Sequence, residues 1–306
     1  MALKIIFMGT PEFAVPILQS LKNSQHKIIK VYTQPPKKKD RGQKIHHNPI
    51  HEFSIQNNLE IRHPEKLDTN EEIELIKSLN PDIIIVAAYG KLLPDSILRI
   101  DNIKFINVHA SLLPKWRGAA PIQRAIMNLD NETGISIMKI TSKLDAGPVL
   151  MKTKIPILKS TNFEELSKKL SNLGAKMILE SLELIINKKK SFEPQNDKEA
   201  SYAHKIIKTE TKINWSETAE KIIAKINALY PKPGTWIEYQ GIRLKILKAA
   251  EVKATGKPGE IIDGKFTIAC SKNAIRILEI QKEGKKKLDI SEYLKGNKVK
   301  KGTYAK

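Results

Sequence analysis

Asn107 and His109 are the residues whose types and spacing first suggest chemistry. They lie two apart at the end of an apolar run (Ile103, Phe105, Ile106, Val108) that reads as a strand. Residues i and i+2 of a strand point to one face, so the amide and the imidazole are expected side by side. The run then breaks into Ser111-Leu112-Leu113-Pro114 and a basic-aromatic Lys115-Trp116-Arg117-Gly118. An imidazole can take up a proton near neutral pH, and a neutral amide can aim a donor at a developing oxyanion, so the pair suits acyl transfer. An isolated Asn-x-His is equally what a buried polar pair at a strand end looks like, but the whole string from Phe105 to Gly118 is more particular. Asp145 adds a carboxylate in Lys143-Leu144-Asp145-Ala146-Gly147-Pro148, a Gly/Pro loop after a strand. It either caps its own turn or approaches His109 and fixes the ring's tautomer.

The elements that would position these residues follow from periodicity. Up to about residue 187, short β-branched runs alternate with amphipathic stretches, the pattern of an α/β fold with a Rossmann-like parallel sheet. Strands are expected at Lys4–Met8, Ile28–Tyr32, Ile83–Ala87, Ile103–Val108 and Ile135–Ile140. Thr10-Pro11-Glu12 predicts a capped helix start, and further helices fit Asn70–Leu79, Ala119–Asn128 and Phe163–Ile186. In such a sheet the active site lies beyond the C-terminal strand ends. Gly9, Tyr89-Gly90, His109 and Asp145 are therefore expected on one edge. The turn Met8-Gly9-Thr10-Pro11 lacks the three glycines of a dinucleotide fingerprint.

Residues 188–203, with Lys188-Lys189-Lys190 and Pro194, are polar and read as a linker. A smaller C-terminal domain is expected over 204–306. It opens with a helix at Ala219–Leu229, and strands follow at Thr235–Tyr239, Arg243–Ala249, Gly259–Ile262, Lys265–Cys270 and Ala274–Gln281. Short strands separated by Gly and Pro turns suit an OB-like β-barrel.

Charge bounds the partners. The 306 residues carry 53 Lys and Arg against 33 Asp and Glu, a net +20, which favours a polyanionic partner such as nucleic acid. Residues 1–190 hold 29 basic and 19 acidic side chains and residues 191–306 hold 24 and 14, so the second part is the more basic per residue. Only seven of the basic residues are Arg, so diffuse lysine could instead serve solubility. Arg41, Arg117 and Arg124 carry more information, because a guanidinium fork matches phosphate. The segment from Thr33 to Lys44 holds Lys37, Lys38, Lys39, Arg41 and Lys44 on the expected active edge. One cysteine, Cys270, excludes an internal disulfide and argues against a Cys-based metal site. His46, His47 and His51 lack a supporting carboxylate pattern, and no metal is expected. The apolar run after Lys4 breaks at Gly9-Thr10-Pro11-Glu12, too short for a signal segment, and no run can span a bilayer. A soluble cytoplasmic protein, with no membrane partner, is the expectation.

The string Asn107-Val108-His109-Ala110-Ser111-Leu112-Leu113-Pro114-Lys115-Trp116-Arg117-Gly118, with Leu144-Asp145-Ala146-Gly147, resembles the folate-dependent formyltransferases. Gly118 to Ile126 (G-A-A-P-I-Q-R-A-I) and the opening Ile5 to Ala14 (I-I-F-M-G-T-P-E-F-A) are similar to the branch that acts on methionyl-tRNA. The resemblance covers nearly the whole chain, densely over the first 150 residues and thinly after about 240. It implies transfer of the formyl group of 10-formyltetrahydrofolate, a co-substrate, to the free amino group of initiator methionyl-tRNA, in a monomer. It implies that Asn107 donates to the oxyanion, that His109 handles the amine proton or supports the oxyanion, and that Asp145 acts on His109. Ser111, Leu112, Leu113 and Pro114 would line the folate pocket. Arg41, with Lys37, Lys38, Lys39 and Lys44, would reach the tRNA acceptor end.

Two rivals remain open on the residues alone. A formyltransferase acting on an amino-sugar nucleotide would share the Asn-His-Asp set and the Ser-Leu-Leu-Pro loop, whereas the basic segment favours tRNA. A non-catalytic RNA-binding module would account for the charge but not for those three residues.

Overall fold

A computed structural model describes residues 2–39 and 44–306. Its contacts divide the chain into two compact units: Met1–Pro121, Thr133–Ile155 and Ser167–Ala203 in the first, and Ile122–Glu132, Pro156–Leu166 and His204–Lys306 in the second.

In the first unit the strands are β1 (Lys4–Gly9), β2 (Lys27–Tyr32), β3 (Lys37–Lys39), β4 (Lys44–His46), β5 (Ile61–Arg62), β6 (Ile83–Ala87), β7 (Lys104–His109), β8 (Arg117–Gly118), β9 (Glu132–Lys139), β10 (Val149–Pro156) and β11 (Tyr202–Ala203). Seven of them form one sheet in the order β10-β9-β7-β6-β1-β2-β5. β1, β2, β5, β6 and β7 run parallel. The central strands β1 and β6 are buried along their length apart from Lys4, because a parallel sheet is covered on both faces and needs continuous apolar runs. β10, at one edge, instead follows two buried residues with an alternation of half-buried and exposed ones.

Helices α1 (Val15–Lys22), α2 (Pro49–Gln56), α3 (Asn70–Leu79), α4 (Asp95–Leu98), α5 (Pro121–Met127) and α6 (Phe163–Ile186) follow in chain order, α5 and α6 straddling the division into units. α3 is bounded by local chemistry: Thr69 Oγ1 accepts the N–H of Glu72 at its start, and Asn80, at φ 45°, ends it in the left-handed region before Pro81.

Two expectations change here. The strand expected at Ile135–Ile140 lies in the sheet as β9 but runs antiparallel to β7, with His109 opposite Ser136 and Ile106 opposite Lys139. The chain therefore returns from the end where β7 finished, without a crossover. Thr10 does not cap a helix; its hydroxyl donates to Tyr89 O at 2.8 Å. A short 3-10 turn at Glu12–Ala14 precedes α1, without a side-chain cap.

The second unit holds α7 (Ala219–Leu229), β12 (Thr235–Tyr239), β13 (Ile242–Val252), β14 (Thr267–Ala269), β15 (Ala274–Lys282), β16 (Lys287–Asp289) and α8 (Ile290–Gly296). The strands form one antiparallel sheet, β12-β13-β15-β14 with β16 on β15, and register shifts in β13 curl it into a half-barrel. The strand expected at Gly259–Ile262 contributes only isolated bridges, Glu260 to Tyr304 and Ile261 to Ile268. Ile222, Ile226, Ile237, Ile246, Phe266 and Ile277 are among the residues that form its apolar core.

Candidate active site

Strand β7 ends with Asn107 and His109 on one side, and both meet Asp145. Asn107 Nδ2 donates to Asp145 Oδ1 at 3.5 Å, and His109 Nδ1 lies 3.7 Å from Asp145 Oδ2. His109 is buried. Its Nε2 is 2.9 Å from Trp116 O. A carbonyl can only accept, so Nε2 carries a proton and Nδ1 faces the carboxylate. Asp145 Oδ2 also accepts the N–H of Gly118 at 2.8 Å. The carboxylate is thus tied to β7 and to the loop that follows it.

Two glycines make this approach possible. Gly147, two residues after Asp145, packs so closely that a Cβ there would sit 2.0 Å from Lys139 O. Gly118 has φ +120°, and a Cβ would lie 2.9 Å from Ala203 O. Asp145 itself adopts φ 45°, a left-handed conformation that non-glycine residues hold only when neighbours fix it.

The fixing comes from residues 188–203. Gln195 Nε2 donates to Asp145 O at 2.9 Å and to Gly147 O at 2.7 Å, while its Oε1 accepts from Arg117 Nε and Nη2 at 3.0 and 2.9 Å. Arg117, 3% exposed, also donates to Asp197 Oδ1 at 2.7 Å, and this guanidinium holds the Asp197 carboxyl below its ordinary range. Ser201 Oγ accepts the N–H of Trp116 at 3.0 Å, and β11 pairs with β8. The segment expected as a linker lies within the first unit. Nothing local in Pro194-Gln195-Asn196-Asp197 signals this, because the partners are dozens of residues away.

The Ser-Leu-Leu-Pro loop is held from inside. Ser111 is fully buried, and its hydroxyl donates to Lys115 O at 2.6 Å. Ser136 of β9 donates to Ser111 O at 2.7 Å and accepts the N–H of Leu113 at 3.1 Å. Leu113 packs with Met138 and Val149, whereas Leu112 and Pro114 are half-buried. Sequence reasoning did not single out Gln195 or Ser136.

The basic segment is only partly described. The backbones of β3 and β4 pair as an antiparallel hairpin, Lys37 opposite His46 and Lys39 opposite Lys44. Arg41 lies outside the described residues. The other informative arginines point inward: Arg117 as above, and in the second unit Arg124, which binds Glu210 at 2.6 Å and His204 O at 3.0 Å. Among the described residues, no group of three or more His, Cys, Asp or Glu is placed to hold a metal ion, and no helix is long and apolar enough to cross a membrane. His47 and His51 stack face to face, with ring centroids 4.0 Å apart.

The chain thus combines a parallel-rich sheet, with an amide, an imidazole and a carboxylate gathered after β7, and a curled antiparallel sheet that follows in sequence. The chain belongs to the formyl transferase family: the family's "Formyl transferase" profile matches residues 3–182, and its "Formyl transferase, C-terminal domain" profile matches residues 205–298. It is 50% identical over 305 residues to the methionyl-tRNA formyltransferase of Pelagibacter ubique, covering 99% of this chain and 98% of that one. Among solved structures, HypX from Aquifex aeolicus in complex with tetrahydrofolic acid is similar at TM-score 0.68 and 18% identity. That match covers 99% of this chain, which spans about half (51%) of HypX. An N-formyltransferase from Helicobacter canadensis, in complex with folinic acid and dTDP-3-aminofucose, matches at TM-score 0.64 and 19% identity, covering 90% of this chain and 99% of that one. These two likenesses are of fold.

Proposed function

We infer that this chain transfers the formyl group of 10-formyltetrahydrofolate to the amino group of initiator methionyl-tRNA, giving N-formylmethionyl-tRNA for translation initiation. The observation that carries the reading is 50% identity with a methionyl-tRNA formyltransferase in an alignment that spans 99% of this chain, the sheet unit and the basic second unit alike. Catalysis is assigned to residues 1–187 and tRNA binding to 204–306, with 188–203 between them.

The reaction needs oxyanion support, a path for the amine proton and a dry, fixed site. The amine attacks the formyl carbon, and charge develops on the formyl oxygen. Asn107, half-buried two residues before the end of β7, donates its amide N–H to that oxygen; such donors are worth roughly 10²–10³ in rate. His109 handles the proton that leaves the amine or supports the oxyanion, a role worth roughly 10²–10⁴. Nε2–H rests on Trp116 O, so Nδ1 carries the lone pair that can take up the proton, and Asp145 Oδ2, 3.7 Å away, then stabilises the imidazolium. The proton returns to the departing nitrogen of tetrahydrofolate, so no covalent enzyme intermediate is needed. Half-buried Leu112 and Pro114, on a backbone fixed by Ser111 and Ser136, offer apolar surface to the folate. Lys37, Lys38, Lys39, Arg41 and Lys44 take the acceptor end of the tRNA. The enzyme acts as a cytoplasmic monomer.

The test is formyl transfer from 10-formyltetrahydrofolate to three acceptors: charged initiator tRNA, charged elongator tRNA and a dTDP-linked amino sugar. Rapid formylation of the initiator alone is expected. Transfer to the amino sugar without transfer to tRNA would place the chain with the sugar enzymes, and binding of tRNA without transfer would leave only an RNA-binding module.

A further inference from the structure

The basic hairpin β3–β4 leaves and re-enters the fold at one side chain, Asn48. On the entry side, Thr33 is fully buried just after β2, and its hydroxyl donates to Asn48 Oδ1 at 2.8 Å. Asn48 Nδ2 donates to Gln34 O at 3.0 Å. On the exit side the same Oδ1 accepts the N–H of His51 at 3.0 Å, capping α2. A single amide thus joins two points before the hairpin to one point after it. Gln34 extends the tie: its Nε2 donates to Tyr89 O at 3.0 Å, the carbonyl that also accepts Thr10 Oγ1. Tyr89 is 1% exposed and follows β6, while Thr10 follows β1. The base of the hairpin is therefore bound to the sheet edge on which β7 ends.

Capping alone does not require asparagine here, because Ser, Thr or Asp would accept the N–H of His51 as well. Of these four, only asparagine also provides the N–H that reaches Gln34 O. A loop held at both ends loses less freedom when its long cationic side chains engage a ligand.

We propose that Asn48, with Gln34, is a positioning residue for the tRNA substrate, setting the basic hairpin against the catalytic edge. This rests on the tRNA reading above. Asn48→Asp is the discriminating variant. Its carboxylate still accepts from His51 and Thr33, so α2 and the fold are retained, but it repels Gln34 O. The melting temperature, kcat at saturating tRNA and KM for the formyl donor should match the parent, while KM for charged initiator tRNA rises about 3- to 10-fold, the scale of one net hydrogen bond. Thr33→Val, which removes one donor to Asn48 at nearly constant volume, should raise the same KM by a smaller factor. A parent that formylates tRNA and an Asn48→Asp variant with the parental KM for tRNA would overturn the proposal and leave the functional reading intact. An equal rise in KM for the formyl donor would also overturn it, making the tie general scaffolding. A parent that formylates no tRNA would defeat the functional reading, and this role with it.

Discussion

The polar residues of the first unit's sheet edge and those of the second unit's surface are organised in opposite ways. At the edge, Asp145 is met by Asn107, His109 and Gly118 N, and Gln195 pins its loop from the other side. Positions there are fixed to within a hydrogen bond's length. In the second unit the interior is apolar, and the lysines stand outside it. Lys212 and Arg243 lie over Trp236 at 5.3 and 4.2 Å, and Lys295 with Glu292 forms an exposed pair. Such a pair contributes little to stability. The first region fixes a few atoms and the second displays charge, so substitutions in the two should fail in different ways.

The largest effects belong to the edge. Asn107→Ala and Asp145→Ala should each lower kcat by roughly 10²–10³ while tRNA affinity changes little, read by steady-state kinetics beside a binding titration. Loss of binding in step with kcat would mean that these side chains hold the loop rather than the reaction. Gln195→Leu comes next. It removes four hydrogen bonds to the Asp145 and Arg117 loops, and about 1–3 kcal/mol of stability should go with the unsatisfied groups. A drop of about tenfold in kcat, on the scale of one missing hydrogen bond, should accompany this. Parental kcat would reduce residues 188–203 to a connector.

The second unit should respond through salt. Replacing Lys285, Lys286 and Lys287 with Gln should leave kcat unchanged and weaken tRNA binding. For every phosphate left without its lysine, the log–log salt slope should flatten by roughly 0.7–0.9. Identical slopes would show these lysines to be solvated surface. The smallest effect is a pH response beside the basic hairpin. Burial first, then His47 and His63, hold His51 below its ordinary value of 6.5. The unfolded chain therefore takes up that proton first, and the stability present above pH 6.5 declines as pH falls through the lowered value. Melting temperatures measured from pH 7.5 to 5 should fall less steeply in His51→Leu than in the parent. Parallel curves would remove His51 from the account.

How much of this was legible follows the range of the forces. α3, α6 and α7 were expected over the residues they occupy, because caps and 3.6-residue spacing are local. β1 and β6 announce themselves as unbroken apolar runs. The antiparallel sense of β9 was not readable, since periodicity carries no direction. Nor were β3 and β4, whose lysine-rich sequence has low strand propensity. At the candidate site, strand spacing placed Asn107 and His109 on one face. The approach of Asp145, 38 positions from Asn107, came only from family resemblance. Arg117 shows the limit from the other side: its type suggests phosphate, and burial against Gln195 and Asp197 gives it a different task.

If the end of β7 carries out formyl transfer, His109→Ala must slow it. Initial rates of transfer from 10-formyltetrahydrofolate to charged initiator tRNA should be measured for parent and variant at saturating substrates, with tRNA affinity measured on the same preparations. Unchanged tRNA affinity and a rate at least roughly 10²-fold lower are expected. A variant that binds tRNA as the parent does and turns over at near the parental rate would contradict this assignment.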